Sequence, residues 1–324
     1  MIGVGLIVAA AGFLAIQNVV LKMMVSVHDL VGVWPFGGWV SPTVDHSLLL
    51  LQLRMVLTVP LMLLLAPRLH PGTMQEIRWL CDRTRLRKSD HRRYVGVTLG
   101  ACLCIWVALV LLYIAIGRLT TGIAATLFSI HPAVTALLAW FQFGQRVRLV
   151  QWLWIAVVML GLMLTTPAWT GTDGIGVGVA IAAGVAFSGY NLLTQLSLNP
   201  GNQPPPLHPV TFSLLQFGVM LGLSTVALGL VTVTIQPEDW PAVWGMSFVS
   251  AIAAMTAYLL NNMGIQRVGA ATASVVNSMT PILTALLAAI AIRETLTVRQ
   301  LIGVVVVTIG IAALSLRRRS AKSP

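Results

Sequence analysis

Long apolar runs alternate with short polar connections along this chain. Ten apolar runs can be placed, at about 2–24, 47–66, 95–117, 121–143, 150–166, 175–197, 210–233, 243–263, 268–290 and 300–316. Most approach the roughly 20 residues that a helix needs to cross the hydrocarbon core of a bilayer. They lack the alternation of outer-membrane barrel strands, and a helix satisfies its own backbone hydrogen bonds in lipid. The pattern predicts an all-α integral membrane protein with ten transmembrane helices.

Composition agrees. Of 324 residues, 57% are hydrophobic and 9% charged, against about 25% charged in a soluble domain. The net charge of +11 raises the question of nucleic acid. The basic residues, however, sit mainly between apolar runs and at the C-terminus, so no nucleic-acid partner is expected. Cys81 lies in a basic loop, and Cys102 and Cys104 point to different sides of one helix. That arrangement suggests neither a metal site nor a disulfide framework. The N-terminus is apolar from its second residue, without a basic n-region, and reads as a retained first helix.

Loop charge predicts orientation. The connection after the second run holds Arg68, Arg78, Arg83, Arg85, Arg87, Lys88, Arg92 and Arg93. Arg146 and Arg148 follow the fourth run, and Arg317, Arg318 and Arg319 form a tail. The loops after the fifth and seventh runs carry only acidic charge, at Asp173, Glu238 and Asp239. A multi-pass protein of the cell (inner or plasma) membrane, with both termini cytoplasmic, is expected. The basic loop also offers a surface for membrane lipid.

The chain repeats itself. GRLTTGIAATLFSIHPAVTALLAWFQFG, from Gly117, is echoed by QRVGAATASVVNSMTPILTALLAAIAIRE, from Gln266. At an offset of 149, Arg118 falls on Arg267, Ala124 on Ala273, Ser129 on Ser278 and Pro132 on Pro281. Thr135–Ala139 falls unchanged on Thr284–Ala288. Nearer the start of each half, Asn18 matches Asn191 at an offset of 173. The first half therefore holds extra loop residues, expected in the 25–46 and 67–94 connections. Five runs per half is an odd number, so the halves enter the membrane in opposite senses, the inverted-repeat plan of many secondary transporters. The divisions are residues 1–166, the first five-helix repeat, and 167–316, the second. Within the second, 167–209 holds its first helix (about 175–197) and a Pro-rich link. Residues 317–324 form a basic cytoplasmic tail.

These residues resemble the EamA-type repeat of the drug/metabolite transporter superfamily. The second copy has Pro281, Thr284–Ala288, Arg293-Glu294, Gln300, Gly303 and Gly310; the first has Pro132, Thr135–Ala139, Gly144, Gln151 and Gly161. Gln145 departs from the pattern, which usually has Glu there. Arg54 resembles an Arg often found in the second span of the family. The resemblance implies movement of amino acids, other metabolites, drugs or nucleotide sugars, often outward and often driven by an ion gradient.

Polar residues inside apolar runs are the candidate site, because facing lipid would be costly for them. A substrate cavity is expected from Asn18, Trp106, Tyr113, His131, Tyr190, Asn191, Gln216, Tyr258, Asn262, Asn277 and Ser278. The competing reading is interhelical hydrogen bonding, worth about 0.6–2 kcal/mol per bond. His131 is a candidate for proton coupling, since imidazole titrates near neutral pH; the alternative is a neutral ring bonded to a neighbouring helix. Pro132 and Pro281 are helix-breaking, because proline lacks the N–H of the helix ladder. Arg54 either snorkels to the surface or pairs with an anionic substrate group.

The predicted function is a secondary transporter, specifically an exporter, of small metabolites, amino acids or amphipathic drugs. It works by alternating access at a central cavity. Its partners are a small-molecule substrate and an ion gradient such as protons; a homodimer stays open, and no cofactor or metal is expected. The alternatives are a non-transporting scaffold or receptor and a sugar-phosphate or nucleotide-sugar exchanger. An enzyme is disfavoured: nucleotide, zinc-protease and nucleophile-elbow motifs are missing, and Asp and Glu fall in loops or at helix ends.

Overall fold

The computed structural model describes residues 2–25, 27–30, 34–41, 43–82, 89–118, 124, 127–143, 149–165, 174–199 and 206–291, with 297–299, 301–303, 305–306 and 309–310. Gln145, Arg293, Glu294, Gln300, most of the expected tenth span and the basic tail lie outside them.

Eleven α-helices are described: α1 Ile2–Val25, α2 Val44–Leu69, α3 Thr73–Leu80, α4 Ser89–Arg118, α5 His131–Phe143, α6 Leu149–Thr165, α7 Gly174–Leu198, α8 Pro209–Leu228, α9 Trp240–Val268, α10 Ala270–Asn277 and α11 Thr280–Ala291. Among the described residues, seven stretches are long and apolar enough to cross a membrane, with Ala270–Ala291 counted as one. Their surfaces carry large apolar side chains in quantity. Phe141 is 92% exposed, and Leu64, Leu149 and Ile290 are largely uncovered. Such a surface suits hydrocarbon. The fold is thus a helical membrane bundle.

Several boundaries differ from the apolar pattern. The seventh run stops being helical at Leu228, followed by a non-helical segment that ends at a short 3-10 turn over Pro237–Asp239. The 25–46 connection contains an antiparallel hairpin, β1 Val27–Leu30 with β2 Trp34–Gly37, so the protein is not purely α. Its return is anchored to the end of α1 by bonds from Gly38 N to Met23 O and Val40 N to Met24 O, both 3.1 Å. Gly38 has φ +78, and a Cβ there would meet the Val27 side chain at 2.5 Å, so glycine is required. In the other long connection, the amphipathic α3 lies between α2 and α4.

The ninth run is two helices. α10 ends at Asn277, a turn covers Ser278 and Met279, and α11 begins one residue before Pro281. Residues 127–143 repeat this, with a turn at Ser129 and Ile130 and α5 starting one residue before Pro132. The bonding matches as well. Ile130 N donates to Leu127 O at 3.2 Å, and Met279 N donates to Val276 O at 3.0 Å. Val134 N to Ile130 O and Leu283 N to Met279 O then resume the α-helical spacing. Both breaks follow from proline, which removes a donor and crowds the preceding turn.

Packing pairs helices across the chain. The most extensive contacts are α4 on α7 and α1 on α9, followed by α2 on α8. Small residues permit the approach. A Cβ on Gly184 of α7 would lie 2.6 Å from the Phe128 carbonyl oxygen, and one on Gly264 of α9 would overlap Ile7 of α1. Two corners match: Ile7, Ile265 and Ala273 pack together, and so do Ala180, Ala115 and Ala124. α2 and α8 share a burial pattern when Arg54 is set over Gln216. Val56, Pro60, Leu63 and Leu64 are then exposed like Gly218, Gly222, Thr225 and Val226.

α3 is held to the start of α8 by a polar junction. His70 Nε2 meets Glu76 Oε1 at 2.8 Å, and His208 N donates to Glu76 Oε2 at 3.0 Å. The His70 and His208 rings stack with centroids 4.1 Å apart. His208 caps α8 by accepting from Val210 N through Nδ1 at 3.3 Å. Burial holds the His208 imidazole below its usual range; the neighbouring His70 ring adds to this and Glu76 opposes it. The stability that His208 contributes is therefore complete above the unfolded value of 6.5 and is lost as pH falls below it. Melting temperature in detergent should fall between about pH 7.5 and about pH 5.5. His208→Asn, which keeps a capping side chain, should flatten that fall. An unchanged slope would remove His208 from the pH response.

Candidate functional site

The polar interior is built on α7, α8, α9 and α10. α7 begins with a Gly- and Ala-rich stretch that lets it lie close to its neighbours, then presents Tyr190 and Asn191 in succession. α9 starts with Trp240-Pro241, the proline at a position where the helix needs no donor. It presents Asn261 and Asn262 in succession and ends at Gly269, whose φ of +82 is open to glycine almost alone. The next residue, Ala270, opens α10 and donates its N–H to Gln195 Oε1 of α7 at 2.6 Å. Gln195 thereby caps α10.

Because successive helical residues point about 100° apart, each pair reaches two neighbours. Tyr190 and Asn262 turn towards α8. The Tyr190 hydroxyl donates to Asn262 Oδ1 at 2.7 Å and lies 3.3 Å from Gln216 Oε1. Asn262 Nδ2 donates to Ser213 Oγ at 2.9 Å and to Gln216 Oε1 at 3.2 Å. All four residues are fully buried. Asn191 and Asn261 turn towards α10. Asn191 Nδ2 donates to Ser274 Oγ at 3.0 Å, and Asn277 Nδ2 donates to Asn261 Oδ1 at 2.8 Å. Ser278 Oγ donates to the Ser274 carbonyl at 3.3 Å, beside the helix break.

The remaining expected residues are spread more widely. Asn18 of α1 donates to Thr284 Oγ1 of α11 at 3.3 Å. Trp106 of α4 donates to Ser224 Oγ of α8 at 3.1 Å. Neither joins the two networks above. Tyr113 and Tyr258 are buried in the large apolar cluster, where Tyr258 meets Phe217 edge to face. Arg54 is 2% exposed. Of its two expected fates, snorkelling to the surface is excluded by that burial. It interacts electrostatically with Tyr258, and its Nε and Nη2 have no hydrogen-bond partner.

His131 opens α5 and is buried between the rings of Phe128 and Phe187, at centroid distances of 5.3 and 5.0 Å. Its carbonyl accepts from Ser188 Oγ at 3.1 Å, and its Nδ1 has no partner. The backbone carbonyl near the break is therefore used by the protein itself. Pro132 is buried beside it; the side chain of Pro281 lies outside the description.

Sequence reasoning missed Ser213 and Ser274, which complete the two networks. A serine in an apolar helix gives no signal until its partner helix is known. Several buried polar atoms are left over: Gln17 Oε1, Asn191 Oδ1, Gln216 Nε2 and Asn277 Oδ1, besides those of Arg54 and His131. A folded interior leaves few such atoms unpaired. Among the described residues no cluster of His, Cys, Asp and Glu is placed to hold a metal.

Apolar helices outside and hydrogen-bonded amides inside define a polytopic membrane protein with a polar interior. The family model for the EamA-like transporter family matches residues 174–316. An uncharacterized transporter of Synechocystis sp. is 36% identical over 328 residues, covering 99% of this chain and 95% of that protein. A solved crystal structure shares the fold at a TM-score of 0.69 and 14% identity, covering 99% of both chains. The chain belongs to the EamA-like transporter family and is a membrane transporter.

The Tyr190–Asn262–Gln216–Ser213 network should contribute to stability. Tyr190→Phe leaves the Asn262 acceptor without its best donor and should destabilise by about 1–3 kcal/mol. Asn262→Leu takes a bond from each of three partners and should destabilise by more, read as a larger fall in melting temperature in detergent. Equal effects would show that Asn262 is not the hub.

Proposed function

We propose that the protein is a secondary transporter that exports small organic solutes by alternating access between two inverted five-helix halves. The observation that carries this reading is the matched packing. Exchanging α1 with α7 and α4 with α9 turns the α4–α7 contact into α9–α1, the two most extensive in the molecule. The same exchange relates the two Pro-broken segments, the two matched apolar corners and the burial patterns of α2 and α8. A solute site in such a plan lies near mid-depth between the halves. There the Asn191–Ser274 and Tyr190–Asn262 networks, together with Arg54, supply polar contacts. Rocking of one half against the other would expose them to each side in turn. The basic connections support a reading with both termini in the cytoplasm and the protein in the plasma or inner membrane.

We assign the coupling ion as a proton carried by His131, the one histidine deep in an apolar run. Its ring has an unpartnered nitrogen, Nδ1.

Efflux of a panel of metabolites, amino acids and amphipathic drugs, compared between cells with and without the protein, tests the function. Asn191→Leu should lower flux about tenfold or more, as loss of one directed hydrogen bond implies, with membrane abundance unchanged. Unaltered flux would take Asn191 out of the site. His131→Gln should abolish gradient-driven flux in proteoliposomes while solute exchange persists. Equal loss of both, or loss of neither, would count against a proton at His131.

A further inference from the structure

Resting on the transporter reading, we infer that the transported solute carries a single carboxylate, which the side edge of the Arg54 guanidinium holds with two parallel hydrogen bonds. Arg54 is the only buried lysine or arginine among the described residues. It lies well inside α2, ten residues from the first residue of that helix. No described Asp or Glu occupies the interior of a spanning helix: Asp45 and Asp90 lie in first turns, and the others are in α3, the hairpin, the 3-10 turn or connections. A buried guanidinium without a counter-charge is costly and calls for a partner.

The unpartnered atoms specify that partner. Nε and Nη2 form one side of the planar guanidinium, with two N–H bonds pointing the same way. That spacing fits the two oxygens of a carboxylate. Arg54 shares its burial position with Gln216, as the superposed patterns of α2 and α8 show. In the second half, Gln216 is enclosed by Tyr190, Asn262 and Ser213, and those groups largely satisfy one another. In the first half the same position carries a cation whose bonding edge is unused. Gln17 also has a buried unpartnered oxygen, but an amide oxygen only accepts and cannot hold a carboxylate. One buried cation matches one negative charge; a phosphate would call for several.

Purified full-length protein in proteoliposomes tests this with lactate, phenylacetate and leucine, each against its primary amide, together with every solute scored in the efflux panel. At least one acid should be moved in preference to its amide. Arg54→Lys keeps the charge but loses the two-pronged edge, and should reduce that acid's flux about 10- to 100-fold. Arg54→Met should abolish acid flux while melting, without solute, at or above the wild-type temperature, because it removes an unpaired buried charge. Gln17→Leu should leave that acid preference in place. Either Arg54 variant moving the acid normally, or Arg54→Met melting several degrees lower, overturns the inference and makes Arg54 a structural residue. Loss of the acid preference in Gln17→Leu overturns it as well. Wild-type transport of amides or other uncharged solutes with no preference for acids overturns it while leaving the transporter reading intact. A wild type that moves nothing overturns both.

Discussion

Hydrocarbon offers no hydrogen-bond partners, and the rest of this structure depends on that constraint. It forces the backbone into helices and turns polar side chains inward. Once inside, the amides and hydroxyls must find one another, as Tyr190, Asn262, Gln216 and Ser213 do. The same constraint explains why the two turns at 129–130 and 278–279 lie against other helices. At the first, the Phe128 carbonyl lies close to Gly184, where a side chain would collide. Irregular backbone at membrane depth is tolerated where protein covers it.

Much of the fold was legible from length and hydropathy alone, because a spanning helix must be apolar over a fixed distance. α1, α2, α4, α7, α8 and α9 are found where the apolar runs lie. Less legible were features decided by tertiary contacts. The β1–β2 hairpin docks on Met23 and Met24, and no local pattern in the 25–46 connection announces it. The end of α8 at Leu228 falls inside an apolar run, since Val231, Val233 and Ile235 are as apolar in an extended segment as in a helix.

The site was partly legible for the same reason. Asparagine and tyrosine inside an apolar run stand out, and Tyr190, Asn191, Asn262 and Asn277 do meet partners in the interior. Asn18 and Trp106 stand out equally, yet each is bonded to a different helix away from those networks. Polarity in a membrane helix reports that a side chain faces protein; it does not say which protein surface. Direction around the helix supplies the missing information, as the divergent bonds of adjacent Tyr190 and Asn191 show.

Gly269 connects α9 and α10 with no intervening loop. Its positive φ makes the corner, and Gln195 grips the first N–H beyond it. A long loop would absorb a small tilt of α9 as slack. A one-residue joint has none to absorb it with, so the tilt is passed on to α10, and with it to Asn277 and Ser278 at the far end of that helix. In the proposed rocking motion the corner would act as a bell crank: a tilt of α9 would arrive at Asn277 and Ser278 as a displacement of amide and hydroxyl groups.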